Sequence, residues 1–150
     1  MHKRKPGPSS IQVMATAVEL RSLLGQLRRR LREQAGTGDY SASQTAVIRR
    51  LEREGPATVT MLAHAEGMRS QSMGATVAYL QLAGLIIGTP HPTDGRQTLL
   101  SLTPAGVAWI KAKRAAREDW LARTIQAKLS PAEQAQLSDA MPLLKRLVEP

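Results

Sequence analysis

The sequence predicts a mainly α-helical fold with one small β-hairpin set among the helices, on three observations. Apolar residues recur every three or four positions through most of the chain, the period of one face of a helix. Two short apolar runs of strand type, LIIGT at 85–89 and TLLSL at 98–102, flank a loop of Pro, Asp, Gly and Arg. The 150 residues include no Phe, and Tyr40, Tyr79, Trp109 and Trp120 are the only aromatics, so the core must be built from Leu, Val, Ile, Met and Ala. That length suffices for one domain, or for two small lobes sharing a core.

The elements follow in chain order. Residues 1–9, with Lys3, Arg4, Lys5, Pro6, Gly7 and Pro8, are expected to form a flexible basic arm. From Ser10, Val13, Ala17, Leu20, Leu24, Leu27 and Leu31 alternate at spacings of four and three, the a/d stripe of a long helix that needs a helical partner. Its polar side carries Arg21, Arg28, Arg29, Arg30 and Arg32, and Gly36 and Gly38 supply its end. Ser41 and Gln44 form a capping box for a second helix that stops at Gly55 and buries Val47, Ile48 and Leu51.

Thr58 caps a short third helix closed at Gly67, and Ser70 is expected to cap a fourth after the turn GMRS. Two short helices joined around a glycine form a helix-turn-helix. In the second of them Met73, Val77 and Leu80 should point inward, leaving Gln71, Ser72, Ala75, Thr76, Ala78 and Tyr79 on the open side. Gly84 ends that helix and the two apolar runs make the hairpin. Thr103 caps a long fifth helix, with Pro104 at its first position and an end near Lys128. Ser130, Pro131 and Glu133 open a last helix striped by Leu137, Ala140, Met141, Leu144, Leu147 and Val148, which Pro142 should kink or interrupt at a cost of about 3 kcal/mol.

The formal charge of +9 points to a polyanionic partner, and its distribution is uneven. Residues 1–50 carry ten Lys and Arg against three acids, 51–100 three against four, and 101–150 eight against five. The middle third is therefore not the main electrostatic attractor. The lack of cysteine excludes a disulfide framework, a thiolate zinc site and a cysteine redox sensor. No apolar run approaches a bilayer-spanning length and MHKRKPGPSS lacks the apolar centre of a signal peptide, so a soluble, cytoplasmic protein is expected. The histidines His2, His64 and His91 are scattered, with no His-Glu-x-x-His and no glycine-rich phosphate loop, so neither an enzyme nor a metal site is expected.

A hairpin directly after the second helix of a helix-turn-helix is a wing, which makes the predicted class an α+β winged helix. The run LAGLIIGTPHPTDGRQTLLSLTPAG resembles the MarR family of bacterial winged-helix regulators in its L…GLI, Asp-x-Arg and LTPAG elements, and the element order matches over about residues 10–149. The resemblance implies a winged helix-turn-helix DNA-binding lobe at 41–103 and a helical dimerisation region at 10–36 and 104–150. It implies a homodimer on a pseudo-palindromic operator in double-stranded DNA, acting as a ligand-responsive repressor. No cofactor is implied, but a small aromatic or lipophilic effector is, in the crevice where the first and fifth helices meet the lobe.

Carried onto this chain, the resemblance makes Ser70, Gln71, Ser72, Ala75 and Thr76 the groove-facing residues. Gln71 suits adenine, Ser72 and Thr76 suit base edges or phosphates, and Ala75 suits a thymine methyl. Arg69 is a phosphate clamp, while Gly74 serves either a close approach to DNA or a packing contact inside the lobe. In the wing, Asp94 would orient the Arg96 guanidinium toward the minor groove, or the two would simply form an ion pair that holds the turn. His91 and Thr93 stand where many relatives carry an acid and a second basic residue. The alternative function is an architectural or protein-interaction winged helix that grips DNA without sequence preference.

Overall fold

The computed structural model describes residues 8–34, 36 and 40–150. The expected basic arm lies outside the described residues except for Pro8 and Ser9, as does Gly38. Two compact units emerge, one of Gly36–Asp119 and one that joins the first helix to Trp120–Pro150. The larger unit extends beyond the lobe expected at 41–103 because Gly106 and Ile110, early in the fifth helix, are buried with its core.

The larger unit begins with α2 (Ala42–Glu54), opened by the capping box: the Gln44 N–H donates to Ser41 Oγ at 3.2 Å and the Ser41 N–H to Gln44 Oε1 at 2.8 Å. Then come α3 (Val59–Ala65), capped by Thr58, and α4 (Ser70–Leu82). The strands β1 (Ile86–Pro90) and β2 (Thr98–Leu102) pair antiparallel with Gly88 opposite Leu100. A reciprocal bridge between Ala57 and Leu100, with N–H to O distances of 3.0 and 2.9 Å, adds a third short edge absent from the sequence expectation. A single residue carries no periodicity to detect.

The core of this unit is aliphatic, as the composition requires. Val47, Ile48 and Leu51 of α2 meet Leu62 and Ala63 of α3, Met73, Val77 and Leu80 of α4, and Leu85, Ile86 and Leu100 of the hairpin. Every inward position expected on α2 and α4 is buried. Full burial of each such side chain contributes about 1.5–3 kcal/mol of transfer free energy, which holds the two short helices in place.

α5 (Pro104–Lys128) starts against this core. Thr103 Oγ1 accepts the Gly106 N–H at 3.0 Å and donates to the Gly84 carbonyl, while the Thr103 N–H donates to the Leu85 carbonyl at 3.0 Å. A Cβ on Gly106 would run into the Leu85 carbonyl oxygen. The glycine of LTPAG is therefore a packing residue that lets α5 approach the end of α4.

In the smaller unit, α1 (Ser10–Gln34) starts at the residue expected and opens with a reciprocal pair of bonds: Ser9 Oγ accepts the Gln12 N–H and Gln12 Oε1 the Ser9 N–H, at 3.3 and 2.8 Å. α6 (Pro131–Val148) has the expected Ser130/Glu133 box and remains helical through Pro142, so the expected interruption does not occur. No residue of α1 or α6 is buried. Val13 and Leu24 are each 55% exposed and Leu147 69%, while Leu20, Leu31, Leu137, Ala140 and Leu144 are half-buried, so much of the α1 stripe and the end of the α6 stripe present their side chains outward.

Candidate nucleic-acid interface

The larger unit displays two features side by side in sequence and fold: the outer face of α4, and the turn between β1 and β2, with α4 packed on β1. Ser70, Gln71, Ser72 and Ala75 are exposed along α4. Thr76 is half-buried, and its Oγ1 donates to the Ser72 carbonyl at 3.2 Å. Such back-bonding occupies the hydroxyl proton and leaves the oxygen lone pairs as acceptors. This face carries no charge between Ser70 and Leu82, so any sequence preference must come from hydrogen bonds and methyl contacts rather than attraction.

Ser70 is not the cap of α4. Arg69 occupies that position with extended backbone, φ −69° and ψ 143°, and makes no side-chain cap bond. Its carbonyl accepts the Met73 N–H at 3.0 Å, so the helix begins one residue earlier than the serine suggests. The first-turn N–H groups consequently lack a side-chain cap, and the exposed Arg69 side chain stands at the positive end of the helix, a location suited to an anionic group. Gly74 has no atom within 4 Å of where a Cβ would be, which removes the internal packing contact as a reason for glycine there.

The wing turn differs from the expected acid–base pair. Asp94 Oδ1 accepts the backbone N–H of Arg96 at 3.1 Å and Oδ2 accepts from Gln97 Nε2 at 3.2 Å, while the Gln97 N–H closes the turn on the Asp94 carbonyl at 3.0 Å. The carboxylate thus fixes the backbone and not the guanidinium, because a side chain two residues back reaches an N–H more readily than the far end of a long arginine. Arg96 is left exposed. His91 adds a second brace: its Nδ1 lies 3.3 Å from the N–H groups of both Thr93 and Asp94. His91 therefore helps to shape the wing turn.

The lobe also holds groups that the sequence reasoning missed. Arg50 Nε donates to Glu66 at 2.6 Å and its Nη1 to Glu54 at 2.7 Å, tying α2 to the end of α3. The pair with Arg50 holds the Glu54 carboxyl below the usual range. A cavity of about 480 Å³ between α2 and α5 is lined by five cationic side chains and the carboxylate of Glu52. The i,i+4 spacings of Arg49 with Arg53 and of Lys113 with Arg117 were the available signal.

The comparisons with known proteins agree with this architecture. Residues 39–97, from just before α2 through the wing turn, match the MarR family model. An HTH-type transcriptional regulator of Mycobacterium bovis is 36% identical over 133 residues, covering 89% of this chain and 92% of that protein. The chain belongs to the MarR family. Its members are transcriptional regulators that bind DNA through a winged helix, not enzymes. A crystal structure of a Pseudomonas aeruginosa protein described as a transcriptional regulator is 37% identical with a TM-score of 0.71, covering 93% of this chain and 96% of that one. A Staphylococcus aureus MepR mutant bound to an oligodeoxyribonucleotide, 17% identical with a TM-score of 0.64 over 89% of this chain and 98% of that one, shares the fold. Among the described residues, no helix is long and apolar enough to cross a membrane.

Proposed function

We propose that this regulator is a ligand-responsive repressor that binds a pseudo-palindromic operator as a homodimer. The observation that carries the reading is the uncharged hydrogen-bonding face of α4, exposed beside a wing turn whose carboxylate is spent on its own backbone and whose Arg96 is outward. Gln71 reads adenine through its amide, Ser72 and Thr76 accept or donate at base edges, and Ala75 meets a thymine methyl. Arg69, with Ser70 beside it at the helix start, clamps a phosphate and fixes the register, while Arg96 reaches the minor groove, where narrow width concentrates negative potential.

The outward apolar stripes of α1 and α6 support the dimer, since an a/d seam in water is stable only when covered. The dimerisation region is accordingly α1 with α5 and α6, and the DNA-binding lobe 41–103. Two copies place two α4 helices on successive major grooves, and an effector acts by binding one spacing of those helices more tightly than another. Footprinting on selected DNA tests the reading. A discrete protected site with a two-fold pattern is expected, and uniform salt-sensitive coverage would instead support the architectural alternative.

A further inference from the structure

We propose that His91 is a positioning residue of the wing: its neutral ring closes the turn that presents Arg96, so the preference for an operator depends on Nδ1 remaining unprotonated. Its role at the duplex rests on the proposed DNA-binding function of the wing. The sequence presets where the ring stands. Pro90 and Pro92 flank His91, and each proline locks its own φ and holds the residue before it extended, so the backbone is stiff on both sides. Pro92 has no N–H, and the donors that reach the ring come from Thr93 and Asp94.

Those donors decide the charge state. Nδ1 lies 3.3 Å from both N–H groups and 3.3 Å from the Thr93 hydroxyl. A backbone N–H cannot reverse its role, so Nδ1 is the acceptor and the ring proton sits on Nε2. An imidazolium would set its own N–H against two others.

The bonds of the turn form a closed circuit. The His91 N–H donates to the Gln97 carbonyl at 3.0 Å, the Gln97 N–H to the Asp94 carbonyl at 3.0 Å, and the Asp94 N–H returns to the His91 ring. Arg96 lies inside this circuit, its N–H held by Asp94 Oδ1. Loss of Nδ1 as acceptor frees the Thr93 and Asp94 peptides, and with them the segment that carries Arg96.

The charged groups beside the ring belong to the same turn: Asp94, whose carboxylate is engaged by the Arg96 N–H and the Gln97 amide, and Arg96 itself. α4, packed on β1, brings no charge. Against β2, α3 brings His64 and α2 brings Arg49, Arg50, Glu52, Arg53 and Glu54, none of which bonds to the turn. Acid then has two effects with different targets. Added positive charge strengthens attraction to any duplex, whereas an opened turn weakens the contacts that depend on where Arg96 is placed. The ratio of operator to random affinity isolates the turn.

Two measurements on the full chain test this. Long-range proton–nitrogen spectra of the imidazole, taken without DNA at about pH 7.5, should show Nδ1 bare and Nε2 protonated, and the Thr93 and Asp94 N–H signals should move with the ring as acid protonates it. A proton on Nδ1 at that pH, or N–H signals indifferent to the ring, would overturn the proposal. Competition of a selected operator against random duplex at one salt concentration is the second. From about pH 7.5 to about pH 5.5 the preference should fall at least about tenfold, as expected for two lost hydrogen bonds. His91→Asn, whose amide oxygen accepts without titrating, should keep the preference at both pH values, and His91→Ala should show a loss of similar size at both. His64 remains in these variants, so a pH response that survives in His91→Asn would overturn the assignment, as would a parent-like His91→Ala or a parent indifferent to pH. A parent that prefers no duplex at either pH would count against the DNA-binding function, and the spectra would still decide the circuit.

Discussion

Arg96 and Asp94 divide the work of the wing in a way their adjacency conceals. The carboxylate accepts from the Arg96 N–H and the Gln97 amide, which shapes the turn, and the guanidinium remains outward. Arg96→Ala should therefore weaken operator binding by about 1–3 kcal/mol while leaving the thermal midpoint unchanged. A titration at fixed salt that gives the same affinity as the parent would remove Arg96 from the interface. The residue types were legible in the sequence, but their pairing was not, because a backbone N–H competes for every aspartate in a turn and composition does not record the winner. The same holds for His91, whose Nδ1 faces two backbone N–H groups.

At the scale of elements, the apolar period located α1, α2, α4 and α6, since a 3.6-residue pattern reports directly which side is buried, and cap residues located α3 and α5. Helix starts were legible where Ser or Thr caps with its side chain, at Ser41, Thr58 and Ser130. They were misplaced where the backbone alone sets the start, as at Arg69. Pro142 was expected to kink or interrupt α6, and the 18 residues of the helix continue through it without interruption. The LTPAG junction gives a sharp test of packing: Gly106→Val would force its side chain against the Leu85 carbonyl and should cost about 1–3 kcal/mol in urea denaturation. Parent-like stability would mean that α5 does not depend on that close approach.

Across the whole molecule, two properties follow from surfaces and charges together. The stripe of α1 is outward at Val13, Leu24 and Leu27, so the double substitution of Leu24→Glu with Leu27→Glu should convert the proposed homodimer to monomer in sedimentation at micromolar concentration, with loss of operator binding. Acid sensitivity follows from Glu54, whose carboxyl Arg50 holds below the usual range. A depressed carboxylate contributes stability above its unfolded value, roughly 4.3, and loses that contribution as pH falls toward the folded value. Glu54→Gln should thus lower the melting temperature at pH 7 and approach the parent as pH falls below the folded value, and a gap that persists in acid would place the effect elsewhere. The measurement that bears most directly on the central claim is competition binding of the intact protein to a selected operator against random duplex at one salt concentration. The account predicts a preference of at least about a thousandfold, carried by one dimer per site. Equal affinity for both duplexes, falling together as salt rises, would contradict it.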